Sequence, residues 1–151
     1  MDHVRFTFKP FFPIRRCNNN TAVPQFPAAY DGVITVAATD LLDHKAPFSN
    51  YGESIAISAP GVNIISSYWG GYYSIASGTS FAAPMVAAEA ALVMSLGINP
   101  DDVIRHSAIS IDKHNPAYNS ELGAGRIDLL RAVTVNSGHL PPRRHNVGVP
   151  E

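Results

Sequence analysis

Between residues 33 and 76 the apolar positions come in short runs broken by Gly, Pro and Asn; from Ser80 onward they crowd together over several helical turns. GVITVAATD is short, β-branched and nearly free of polar groups, which predicts a buried strand from about Val33 to Ala38. SIAISAP (Ser54 to Pro60) and VNIISSY (Val62 to Tyr68) predict two further strands, split by Pro60-Gly61, and YYSIAS (Tyr72 to Ser77) predicts a fourth. Upstream, residues 1–16 mix aromatic and basic side chains with two prolines and no sustained period, so no element is assigned there. NNNTAVPQFP reads as a loop by its Asn and Pro content.

SFAAPMVAAEAALVMSLG predicts a helix from Ser80 to a stopping glycine at Gly97. Pro84 lies near its first turn, where a missing N–H does least harm. Six alanines surround this helix with small side chains and Glu89 is its only charge, which predicts burial on most sides. A second helix opens at NPDDVIRHSAIS, with Asn99 as cap, Pro100 in the first position, and Asp101 and Asp102 at the positive end. A third is expected from about Asp128 to Val135, after the glycine turn GAGRI, followed by an unpacked Pro-rich tail over residues 136–151. There is no internal repeat.

A length of 151 residues suits one compact domain. Charged residues make up 15%, against about 25% in an average soluble domain, so a real core is expected rather than disorder. The net charge of -1 gives no reason to expect nucleic acid or an acidic membrane surface as partner. No apolar run approaches the roughly 20 residues of a membrane span. The single cysteine, Cys17, excludes an internal disulfide and a Cys-rich zinc site. Lys9, Pro10 and Pro13 interrupt the N-terminal apolar stretch, leaving nothing of signal-peptide length, so compartment is not set by the sequence.

The chemistry concentrates in SGTSFAAPMVAAEAAL, Ser77 to Leu92. Ser80 stands where a helix begins, and unpaired N–H groups there favour negative charge developing on a nearby carbonyl oxygen. On these residues alone, Thr79 or Ser80 is equally readable as an ordinary helix cap worth about 1 kcal/mol.

GTSFAAPMVA resembles the nucleophile motif of the subtilisin-like (S8) serine peptidases, carried here by Gly78, Thr79, Ser80 and Pro84. FPAAYDGVITVAATD, FSNYG, SAPGVNIISS and GAGRIDLLRAV (Gly123 to Val133) resemble further blocks of that family, in family order. The resemblance covers residues 17–135 and leaves 1–16 unmatched. It implies an α/β layered fold with a parallel central sheet, of which this chain supplies the later part. It also implies that Ser80 forms the acyl intermediate and that Asn18 donates its amide to the oxyanion. Without the resemblance Asn18 is one of three solvated loop asparagines. Cys17 stands where the family has a glycine that helps line the substrate pocket, and Gly78 and Thr79 border the same site. Asp40, at the end of the AATD strand, is a turn residue or a single contributor to a cation site of the kind some members carry; no cofactor is otherwise implied.

The family activates its serine with a histidine oriented by an aspartate, in the order Asp, His, Ser, with the histidine roughly 150 residues before the serine. Only 79 residues precede Ser80, and neither the aspartate motif nor a His-Gly-Thr-His motif is among them. His44, His106 and His114 read as turn, helix and loop residues, and His3, His139 and His145 lie in the unmatched ends. Met85 replaces the histidine common after the motif proline, which is not the family's base. Two functions follow. One is the C-terminal part of an S8 endopeptidase whose N-terminal half is missing, split or coded separately, inactive alone and acting on a peptide or protein once completed. The other is a non-catalytic S8-derived interaction module. In either case an uncovered sheet edge and helix face predict self-association of the isolated chain.

Overall fold

The computed structural model describes residues 12–15, 18–24, 26–28, 30 and 32–134. Its centre is a parallel sheet in the order β1-β2-β3, formed by β1 (Phe12–Arg15), β2 (Val33–Thr39) and β3 (Ile57–Pro60). From Ile34 to Thr39 strand β2 is buried without alternation, as expected for a parallel strand covered on both faces. Successive side chains point to opposite layers. Val36 and Ala38 pack with Ala82, Val86 and Ala90, whereas Ala37 joins Ile55, Ile111 and Leu122 on the other side.

β1 differs from the expectation that residues 1–16 form no element. Aromatic, basic and proline residues give FPIR no readable period, and pairing with β2 makes it a strand. Among the described strands it sits at the sheet edge, where Pro13 costs no interior ladder bond. β3 is shorter than its apolar run, because Ile55 N–H turns back onto the Gly52 carbonyl before the strand begins. The GAGRI segment does more than turn. Arg126 bridges both Ser58 and Ile109, so the chain after Gly125 continues beside β3. Gly123 takes φ +72, and a Cβ there would collide with the Ala56 carbonyl group. Only glycine lets the chain pass that close.

Helix α1 (Thr79–Ser95) packs on β1, β2 and β3. Its buried positions, Thr79, Ala82, Ala83, Val86, Glu89, Ala90 and Val93, repeat every three or four residues. Burial on most sides, the expectation from its composition, is not what the structure has. Pro84, Ala88, Ala91, Leu92 and Met94 are exposed, so an equally apolar stripe faces away from the described chain. The helix ends as expected at Gly97, in a left-handed conformation, with its N–H on the Met94 carbonyl.

α2 (Pro100–Ser107) starts as the sequence predicts, its Asp101 N–H held by the Asn99 side chain at 3.2 Å. α3 (Leu129–Thr134) opens with Asp128 accepting the Arg131 N–H at 3.0 Å. The two tyrosine-flanked runs pair as an antiparallel hairpin, β4 (Ile64–Ser67) with β5 (Tyr73–Ala76). The expected tail over 136–151, Val135, Cys17, His3, His139 and His145 fall outside the described residues.

Candidate active site

Strand β5 runs through Ser77 and Gly78 directly into α1. The entry is fixed from the side: Gly78 N–H donates to the Gly61 carbonyl at 2.8 Å, and Asn63 N–H donates to Ser77 Oγ at 2.9 Å. Gly61 is itself constrained, since a Cβ there would lie 2.7 Å from the Ala38 methyl and 3.0 Å from the Gly78 carbonyl oxygen. A small residue at 61 thus sets how closely the Ser80 entry approaches β2.

The residue before the helix is Gly78, which has no side chain to cap with, and Thr79 is already helical. The ordinary cap reading of Thr79 or Ser80 is therefore not met. The acceptor comes instead from a residue 61 positions away. Asn18 Oδ1 accepts the Thr79 N–H at 3.1 Å and the Thr79 hydroxyl at 2.9 Å. An N–H can only donate, so the atom facing it must be the amide oxygen. This orients Asn18 and leaves Nδ2 as the outward donor. An atom placed where a Gly78 Cβ would sit lies 3.5 Å from Asn18 Nδ2 and 3.8 Å from the Ser80 amide nitrogen. The missing side chain at 78 leaves a spot near Asn18 Nδ2 and the Ser80 amide nitrogen, with the Phe81 ring 3.9 Å away, beside the exposed Ser80.

Asn18 is held by a loop with its own anchors. Asn50, fully buried, accepts the N–H groups of Asn19 and Thr21 on its Oδ1 at 3.0 and 3.1 Å. Asn20 N–H reaches the Phe48 carbonyl, and its side-chain oxygen accepts from Lys45 Nζ at 2.7 Å. The FSNYG block thus builds the seat of the Asn18 loop, a role the sequence reading did not assign. The resemblance of that block was the available signal.

No described histidine hydrogen-bonds to Ser80. His44 Nδ1 lies 3.3 Å from Asp40 Oδ2, and His106 Nδ1 is 2.6 Å from the Asp102 carbonyl oxygen. Asp40 serves its own turn, with Oδ1 accepting the N–H groups of Leu42 and His44 at 2.8 and 2.9 Å. Burial works to raise its pKa, but those two N–H groups and the His44 ring together outweigh it and hold the carboxyl below its ordinary value. Among the described residues no group of three His, Cys, Asp or Glu could hold a metal ion.

A parallel sheet layered with helices, with an exposed serine in the first turn of a small-residue helix beside an asparagine oriented by Thr79, is the arrangement the structure presents. The profile of the Subtilase family (Peptidase_S8) matches residues 16–125, and the chain belongs to that family of serine proteases. It is 40% identical over 117 residues to the thermophilic serine proteinase of Bacillus sp. (strain AK1), covering 78% of this chain and 29% of that protein. It is 35% identical over 116 residues to thermitase of Thermoactinomyces vulgaris, covering 77% and 41%. Among solved structures, the self-cleaved protease domain of PatA superposes with a TM-score of 0.70 at 31% identity, over 86% of this chain and 51% of that one. The prenylagaramide maturation protease PagA superposes with a TM-score of 0.74 at 28% identity, over 83% and 50%. The chain thus spans less than half the length of these two sequence relatives and about half of each protease structure.

Proposed function

We propose that this chain supplies the nucleophile and the oxyanion donors of peptide-bond hydrolysis, and that a histidine and an aspartate from outside residues 1–151 supply the base. The Ser80 hydroxyl would lose its proton to that base as Oγ attacks the scissile carbonyl carbon. The carbonyl oxygen takes the negative charge, and the Ser80 N–H and Asn18 Nδ2 donate to it. Collapse breaks the C–N bond, the base returns its proton to the departing amine, and water repeats the sequence on the acyl-enzyme. Gly78, Thr79 and Cys17 would border the substrate, a peptide or protein. The observation that supports this reading is the Asn18–Thr79 pair, which commits Asn18 Oδ1 to Thr79 and leaves Nδ2 3.5 Å from where a Gly78 Cβ would sit.

Alone, the chain is expected to be inactive, because none of its described histidines hydrogen-bonds to Ser80. That same observation favours a second reading, an S8-derived scaffold that binds without catalysis. A fluorophosphonate probe separates them. The expected result is no labelling of the chain alone and strong labelling when an N-terminal half carrying the Asp and His motifs is added, abolished by Ser80→Ala. A folded, reconstituted pair that stays unlabelled would leave only the scaffold reading.

A further inference from the structure

Lys45 is buried, 9% exposed, and among the described residues it forms no ion pair. Its ammonium sits over the rings of Tyr51 and Tyr118, 5.3 and 4.7 Å from their centroids, and those rings meet edge-on at 4.8 Å. Nζ donates to the Ala46 carbonyl at 3.1 Å and to Asn20 Oδ1 at 2.7 Å. The main chain is fixed as well. Lys45 N–H donates to Asn115 Oδ1 at 2.6 Å, and Asn115 Nδ2 donates to the Asp43 and Ile111 carbonyls, both at 2.8 Å. Burial holds the ammonium below its ordinary pKa, so keeping a cation here costs the fold free energy. A methionine of similar length would cover the same rings without that cost. Stability alone therefore does not account for this lysine.

We infer that Lys45 is a positioning residue for the acyl-transfer site: through Asn20, its ammonium fixes the turn that sets Asn18 against Thr79 and beside Ser80. Asn20 has φ +50, in the left-handed region, where most side chains are strained and asparagine is among the most tolerant. That reversal comes two residues after Asn18 and sets the course of the loop. Asn50 and the Phe48 carbonyl hold the backbone N–H groups of residues 19, 20 and 21, whereas the Asn20 side chain is gripped by Lys45. A charged donor makes that bond stronger than a neutral one would. The two aromatic faces and the Asn115 anchor leave the donor little freedom to swing away. The cation thus joins the Asn18 loop to the segment around Tyr118, and it reaches the site only through Asn20.

This inference rests on the protease reading, and two measurements separate them. In the chain alone the Thr79 amide is the reporter, because its N–H donates to Asn18 Oδ1. Lys45→Met should speed hydrogen exchange of that amide at least about tenfold, with stability in urea unchanged or raised. An unchanged Thr79 amide overturns the proposal. So does exchange that rises equally along β2, which would make Lys45 a general prop of the fold. In the reconstituted pair, fluorophosphonate labelling is followed against probe concentration. An oxyanion donor acts in the transition state, so Lys45→Met should lower the maximal labelling rate about tenfold and leave the half-saturating concentration within about twofold. Outright loss of such a donor costs more, roughly 10²–10³-fold. Asn20→Gly keeps the left-handed turn and removes the acceptor; it should give the same loss, and the double variant no more than either alone. Additive losses, or a change carried by the half-saturating concentration, overturn the positioning role. A wild-type pair that never labels, while Lys45→Met still frees the Thr79 amide, would keep the clamp on Asn18 and remove the protease reading.

Discussion

Glu89 is the one charge on α1, 1% exposed, and neither carboxylate oxygen has a hydrogen-bond partner. Burial, with a contribution from the Asp128 carboxylate, raises its pKa from 4.5 to about 7. In the unfolded chain the group returns to its ordinary value. The folded state therefore binds a proton that the unfolded state releases, and stability falls as pH rises through the interval from about 4.5 to about 7. Below it Glu89 is neutral in both states and costs nothing electrostatic; above it the penalty is complete. Holding the proton up to about pH 7 rather than 4.5 corresponds to about 3 kcal/mol, a large fraction of the stability of a small domain. Glu89→Gln keeps the shape and removes the titration. Urea denaturation followed by far-UV circular dichroism from about pH 4 to pH 8.5 should show the variant close to wild type at pH 4 and about 3 kcal/mol more stable at pH 8. Every other ionisable group is common to both proteins, so the difference between the two curves isolates Glu89. Parallel curves, or a variant weaker at pH 8, would refute the assignment of a buried, proton-holding glutamate.

Three further outcomes can be checked on the same material. Asn50→Ala removes the acceptor shared by Asn19 and Thr21 and should cost about 1–3 kcal/mol in urea denaturation, with faster amide exchange confined to residues 18–22. Gly123→Ala must accommodate a Cβ against the Ala56 backbone at positive φ, and a loss of about 2–5 kcal/mol is expected in the same assay. Leu92→Lys places a charge on the uncovered stripe of α1 near the helix end that favours cations. It should raise the monomer fraction in sedimentation while changing stability by less than about 0.5 kcal/mol.

Much of this architecture was legible in the residues. The strands at 33–39 and 57–60, the capped start of α2 and the glycine stop of α1 follow from short-range rules that act within a few positions. What could not be read depended on partners far away in the chain. FPIR becomes a strand only because β2 lies beside it. The near-uniform hydrophobicity of α1 hid which stripe the sheet would cover, since apolar residues occur on both. Ser80 and Asn18 were picked out by resemblance, but the device joining them was not. Nothing in NNN or GTS reveals that Thr79 would take its acceptor from Asn18, or that Asn50 would hold the loop between them.

The Asn18–Thr79 pair also divides labour. On the proposed function, charge stabilisation would sit in one covalent and hydrogen-bonded unit, whereas proton handling would come from a complementing polypeptide. An enzyme so partitioned behaves as a logical conjunction: each piece is silent, and turnover scales with the concentration of their complex. Its acid limb would report the incoming histidine, and its discrimination between carbonyl geometries would be a constant set here. Such an arrangement would make this part an interchangeable cartridge, combined with different base-bearing partners whose pH optima it would inherit without altering its own donors.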